Sequence, residues 1–371
     1  MRRYGDAVRR MLARIDATAV EDASGFPHYA DTGTGRWTRT PDGFWTGGFW
    51  GGLLALAAAE SGERSYLELA ADVAGRLTVR AGSDTAFRGF LFFYGAGVAH
   101  LTSGSDAARQ AALAGASGLA GSFNASAGLI PLGTQAEEAD AVGQGAANID
   151  AVPGTAALLA WAARETDQPG LADMARRHVR RHVEYCVRSD GSVCQSAAFD
   201  ERDGTLLRRY THKGRSDDST WARAQAWAML GFAQAGRWVS PEFLPSAVTV
   251  ADWWIEHLPA DRVAPWDFDA GPDEPRDTSA TAIAAAALLK LAALVPDRPH
   301  YREHATAMVD TLMAGFLTPT HGGDRRAPGM LAGGCFDPKR GVATDAELVW
   351  GDYFLLESLL ALRGVIQTAD L

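Results

Sequence analysis

Residues 45–77 read WTGGFWGGLLALAAAESGERSYLELAADVAGRL. The first half is a Gly- and Trp-rich lead into a Leu- and Ala-rich run with no charge before Glu60. After the break at residues 61–63, apolar residues return three and four positions apart among charged ones. A helix that is apolar all round is buried on every side, whereas an amphipathic helix covers a core with one face. The stretch therefore predicts a hairpin of one inner and one outer helix.

The unit recurs along the chain. Gly- or Trp-rich loops precede small-residue helices at 42–58, 87–102, 148–163, 214–233, 266–290 and 341–361. A more polar helix follows, as in LADMARRHVRRHV at 171–183. Helical spacing covers 49–60, 65–79, 106–121, 153–166, 171–187, 218–236, 243–257, 277–293, 300–315 and 346–367. Six such pairs fit a closed double ring: an all-α (α/α)6 barrel, a six-hairpin toroid, with residues 1–371 as one domain. A helical solenoid would show the same alternation. Strand signals reduce to one short hairpin at 192–210, with its turn at 201–204.

Composition narrows the function classes. The 47% hydrophobic and 22% charged content is that of a globular protein. A net charge of −10 argues against a nucleic-acid partner, which needs a basic surface. The start, MRRYGDAVRRMLARIDATAV, has helical spacing and no apolar core of a signal peptide. No uninterrupted apolar run suggests a membrane span. Three scattered cysteines, Cys186, Cys194 and Cys335, read as free thiols of a reducing, cytoplasmic compartment. Walker, dinucleotide and GxSxG motifs are missing, so no cofactor is expected. His178 and His182 stand four apart, but Arg176, Arg177, Arg180 and Arg181 surround them. That pattern reads as a solvated outer face, and no metal site is expected.

Three patches carry the chemistry. In PDGFWTGGFWGG (41–52), Trp45, Phe49 and Trp50 lie among glycines. They serve either as packed core or as platforms for the apolar C–H faces of a sugar. In NIDAVPGTAALLAWAA (148–163), Asp150 precedes an apolar helix. It is either an N-cap or a carboxyl whose pKa burial raises for use as a general acid. In KGRSDDSTWARAQAWAMLGFA (213–233), Arg223 and Trp227 share a helix face. Arg223 either clamps a carboxylate or pairs with an acid of the same barrel. The acids around Asp277 at 264–289, and Asp352 with Tyr353 at 347–360, read as structural.

Taken in order, these segments and WDFDAGPDEPRDTSATAIAAAALLKL and WGDYFLLESLL resemble the unsaturated glucuronyl hydrolases of glycoside hydrolase family 88, from about residue 41 to 362. The resemblance implies an (α/α)6 barrel that removes a 4,5-unsaturated uronic acid from oligosaccharides. It implies that Asp150 protonates C4 and helps water add at C5, that Arg223 and Trp227 contact substrate, and that Trp45 stacks on it. The chain also departs from the family pattern. Phe87 stands where the family has a second Asp, Gln195 where it has a His, Lys213 where it has a Gln, and Gly133 where it has an aromatic residue. The chain thus looks like a diverged member. Its expected site is catalytic Asp150 with substrate-binding Trp45, Phe87, Gln195, Lys213, Arg223 and Trp227. The expected partner is a small, anionic saccharide-like molecule; the oligomeric state is open. Three functions remain: hydrolysis of the family type, proton transfer on a non-polysaccharide metabolite in a biosynthetic setting, or sugar binding without catalysis.

Overall fold

The computed structural model describes residues 2–21, 24–200, 202–319 and 326–371. The chain begins with helix α1 (Arg2–Val20). Five helical hairpins follow, each an inner segment and an outer return. The first is α2 (Gly47–Ser61) with α3 (Arg64–Leu77). In the second, a π-helical run at Phe90–Gly97 continues into α4 (Val98–Ser103) and returns through α5 (Asp106–Gly121). After the short α6 (Ala139–Val142) come α7 (Thr155–Thr166) and α8 (Pro169–Cys186). Then come α9 (Ala222–Trp238) with α10 (Leu244–His257), and α11 (Thr278–Leu294) with α12 (His300–Gly315). The last inner helix, α13 (Val349–Arg363), packs against α1, which completes the sixth pair.

The inner segments touch in ring order, α2 to the π-helical run, then α7, α9, α11, α13 and back to α2. The chain is therefore a closed (α/α)6 toroid rather than an open solenoid. The burial pattern follows the sequence rule. Every residue of α2 from Gly47 to Ala58 is buried, but α3 buries only Tyr66, Ala70, Val73, Ala74 and Leu77. Small residues at the inner contacts are a steric requirement. A Cβ on Gly48 would lie 2.2 Å from the Phe90 carbonyl oxygen, and one on Gly89 would lie 2.1 Å from Thr155 Oγ1. Neither distance is compatible with van der Waals packing.

Two small antiparallel sheets flank the ring. The expected hairpin is β4 (Ser196–Phe199) with β5 (Leu206–Tyr210), joined by the two-residue strand β3 (Ala147–Asn148). Glu201 of the expected turn lies outside the described residues. The second sheet was not anticipated. It pairs β1 (Phe26–Asp31) with β2 (Trp37–Thr40) and with β6 (Ala346–Leu348). No helix among the described residues is long and apolar enough to cross a membrane.

One surface reading is corrected. His178 and His182 are fully buried on the inward face of α8, not solvated. His178 Nδ1 accepts from the Ile130 N–H at 3.1 Å, and its Nε2 lies 3.2 Å from the Ala151 carbonyl. This assigns the proton to Nε2. Burial lowers the pKa of both rings, which keeps them neutral, and His178 supports the loop that carries Asp150.

Candidate active site

Because every inner segment runs in the same direction, their N-terminal ends meet at one rim. Trp45 lies just before α2, and Phe87 just before the π-helical run that carries Phe90. Asp150 sits in a one-turn 3-10 helix ahead of α7, while Trp221, Arg223 and Trp227 begin α9. These residues, with Glu138 and Lys213, line one cavity. Its empty space is about 240 Å³. The aromatic walls close in so far that free room amounts to roughly one water. That room is smaller than a pyranose ring. A wider, open cleft of about 520 Å³ lies at the opposite rim, bounded by Leu101, Trp238, Ile366 and Leu371. Its ionic residues Arg237 and Asp370 pair with each other at 2.7 Å.

Asp150 stands at the wall of the narrow cavity. Its backbone N–H donates to Asn148 Oδ1 at 2.9 Å, so Asn148 is the local cap and the Asp150 carboxyl is left for other work. Oδ1 of Asp150 is buried without a partner among the described residues. Burial pushes its pKa up to about 7, against the opposing pull of Arg223, Lys213 and a Gln195 hydrogen bond. Such a carboxyl both holds and releases a proton near neutrality.

Gln195 lies behind Asp150 and does not line the cavity. Its Oε1 accepts from Thr211 Oγ1, His212 N and Lys213 N, each at 3.0 Å. Three donors at one atom fix the amide orientation and turn Nε2 toward Asp150 Oδ2 at 3.5 Å. Gln195, expected as a substrate contact, thus faces Asp150 rather than the cavity.

The two cations are already paired. Arg223 Nη1 donates to Asp277 Oδ2 and the Cys335 carbonyl, and Nη2 donates to the Phe336 carbonyl, all at 2.6 Å. Its guanidinium lies 4.6 Å from the centre of the Trp221 ring. Of its two sequence readings, the buried pair with a barrel acid is the one seen, although Arg223 also faces the cavity. Lys213 Nζ donates to Glu137 Oε1 at 2.8 Å and Asp337 Oδ2 at 3.2 Å. Its charge is thus balanced by carboxylates. Glu137, His212 and Asp337 hold their ligand atoms within 4.8 Å of one another, but the Lys213 ammonium bonds both acids of this set.

The aromatic walls are tightly knit. Trp45 donates through Nε1 to Glu137 Oε2 at 3.3 Å and packs on Phe90, while Phe90 packs on Trp227 at 4.8 Å. Phe87 stacks on Phe90 at 6.2 Å and makes this wall apolar. Gly133 is not in the lining; a Cβ there would lie 2.4 Å from the Asp84 carbonyl oxygen, so the turn itself excludes a larger residue. Sequence reasoning omitted Trp221, Phe90 and Glu138 from the site. Trp221 lay inside a quoted motif, and Phe90 inside the expected inner segment at 87–102. Glu138 sits in an aperiodic loop, and only the doublet Glu137–Glu138 beside a Gly-rich stretch hinted at it.

The fold and cavity together define an (α/α)6 toroid enzyme with a carboxyl in an aromatic pocket at one rim. No family model matches the chain. It is 33% identical over 353 residues to the unsaturated glucuronyl hydrolase of Bacillus sp. (strain GL1), covering 92% of each protein. The crystal structure of that enzyme superposes with a TM-score of 0.90 over 98% of this chain and 97% of that one. The unsaturated chondroitin disaccharide hydrolase of Streptococcus pyogenes serotype M1 is 30% identical over 330 residues, covering 85% of this chain and 80% of that protein. A related solved structure holding dGlcA-Glc-Rha-Glc is 30% identical with a TM-score of 0.90, covering 98% and 97% of the two chains. The chain belongs to the unsaturated glucuronyl hydrolase family, glycoside hydrolase family 88, and is a hydrolase.

Proposed function

We propose that this hydrolase removes a 4,5-unsaturated uronic acid from the end of a short saccharide, with Asp150 as acid and base. The observation that carries the reading is the Asp150 carboxyl, buried, unpartnered at Oδ1 and titrating near 7 at the wall of an aromatic cavity. Protonated Asp150 gives its proton to C4 of the enol ether as the C4=C5 bond is lost. The resulting carboxylate takes a proton from the water that bonds to C5. The C5 hemiketal opens to a ketone, which leaves C1 as a hemiacetal. Collapse of that hemiacetal releases the second sugar, and one water is consumed overall. The names of the relatives support the substrate class.

Phe87 and Phe90 present an apolar wall, and both cations are already paired. These features favour a substrate with fewer hydroxyls and a modest dependence on its charge. The inner-helix N-termini supply a diffuse positive potential that suits an acid group. Three buried cysteines outside any disulfide support a cytoplasmic setting. The test is turnover of a panel of unsaturated disaccharides, followed by loss of the enol-ether ultraviolet absorbance. The parent should act on the less hydroxylated members best. Asp150→Asn, with folding verified, should lose about 10²–10⁴-fold in kcat. Turnover by the Asn variant within a factor of about three of the parent would remove Asp150 from the mechanism.

A further inference from the structure

Three buried polar atoms among the residues lining the cavity have no hydrogen-bond partner among the described residues: Asp150 Oδ1, Glu138 Oε2 and Trp221 Nε1. Buried polar groups are nearly always paired, so three around a space this small mark a place where a ligand completes the bonding. Asp150 is accounted for above. Glu138 is 2% exposed and Trp221 is 2% exposed, so neither is satisfied by bulk solvent.

We propose that Glu138 and Trp221 are specificity-determining residues of the sugar subsite, each hydrogen-bonding an oxygen of the bound ring. The inference deepens the function proposed above and rests on it for the class of ligand. The indole N–H is a donor only, so its partner is an oxygen acceptor. Glu138 reaches the site from the 133–143 loop, on a different element from Phe87, and restores to the pocket a second carboxyl that the Phe87 wall lacks. Burial raises the Glu138 pKa well above its ordinary value, and the charges of Glu137 and Asp150 add to this, opposed by Lys213. A neutral carboxylic acid in this position donates one hydrogen bond without bringing a further charge beside Asp150. Lys213 is held by Glu137 and Asp337, and three of the five N–H groups of Arg223 are held by Asp277 and two backbone carbonyls, so neutral donors of this kind add to the few charged ones left for a sugar oxygen or a uronate carboxylate.

The experiment compares Glu138→Gln, Glu138→Ala and Trp221→Phe with the parent. It uses unsaturated disaccharides for kcat and KM, quenching of tryptophan fluorescence by the same sugars for binding, and thermal unfolding for fold. Glu138→Gln keeps a neutral hydrogen-bonding group and should stay within about threefold of the parent in KM. Glu138→Ala and Trp221→Phe should each raise KM and the binding constant about tenfold, the loss of one hydrogen bond in a buried site. In both, kcat should change less than KM. A Glu138→Ala protein with lowered melting temperature but parental KM and sugar binding would show a merely structural role and overturn the proposal. If the parent binds these sugars without turning them over, and Glu138→Ala weakens that binding, the hydrolytic reading fails while the subsite stands. If the parent turns them over and both variants keep its KM, the hydrolytic reading stands and the subsite falls. A parent that neither binds nor turns over any of the sugars overturns both.

Discussion

At the scale of single residues, the environment of Asp150 sets function against stability. Its folded pKa of about 7 lies above the ordinary 3.8, so the folded state holds the proton more tightly than the unfolded state. Between those two values the folded protein binds more protons, and stability falls as pH rises. The loss begins near pH 4 and is complete above about pH 7. Asp150→Asn cannot ionise. It should therefore be more stable than the parent at pH 8, by on the order of a few kcal/mol, and the difference should shrink toward pH 4. Urea denaturation at pH 4, 6 and 8 would measure this, and a pH-independent difference would contradict the raised pKa. In activity the sign is the same: if protonated Asp150 is the donor, kcat/KM falls as pH rises through about 7. The sequence exposed this residue because Asp150 stands amid Ile149, Ala151 and Val152 ahead of an apolar helix. It did not expose Glu138, because a loop has no periodicity from which a side chain's direction can be read.

At the scale of elements, the small sheet of β3, β4 and β5 acts as the bracket of the site. Gln195, just before β4, ties the segment after β5 to Asp150 through four hydrogen bonds. Gln195→Leu would leave the buried Lys213 N–H, the part-buried His212 N–H and the Thr211 hydroxyl without their acceptor. Each such group costs about 1–3 kcal/mol when it stays dry. The substitution should lower the urea midpoint and also remove a hydrogen bond that holds the Asp150 pKa down, so the basic limb of the pH–rate profile should move upward. A parental limb with a lowered midpoint would confine Gln195 to a scaffolding role. The hairpin was readable from its alternation and turn, but its contact with Asp150 was not, because that contact joins residues remote in sequence. The inner helices were readable because Ala, Gly and Leu without charges leave a helix no solvated face. The same rule misled at α8. Four arginines dominate the composition there, while the helical spacing places His178 and His182 on the opposite, buried face.

At the scale of the whole molecule, the toroid holds only if its two chain ends meet. The sequence showed six repeating pairs and a closing inner helix with Asp352 and Tyr353, but not the strands that join the last pair to the first. The sheet that does it pairs Tyr29 with Leu348, from opposite ends of the chain, and short strands carry little pattern of their own. A buried ion pair reinforces the closure. Arg14 of α1 donates from Nε to Glu347 Oε1 at 2.9 Å and from Nη2 to Oε2 at 2.6 Å, and also to the Gly35 carbonyl at 2.8 Å. Arg14 is 5% exposed and Glu347 is fully buried on β6, so neither charge is relieved by water. Burial raises the Glu347 pKa, and Arg14 is the main opposing influence. Arg14→Met strands that carboxyl. Breaking a buried pair from one side costs about 3–5 kcal/mol, a large share of the 5–15 kcal/mol that holds a typical domain together. Removing both charges, as in Arg14→Met with Glu347→Gln, leaves neither member of the pair stranded beside the neighbouring Asp352 carboxyl and should recover much of the loss. The single variant should thus unfold at a clearly lower urea midpoint than the double one. Hydrogen exchange should report the damage first at the amides that pair β1 with β6. A single variant with the parental midpoint and undisturbed exchange in those strands would mean that helix packing alone closes the ring.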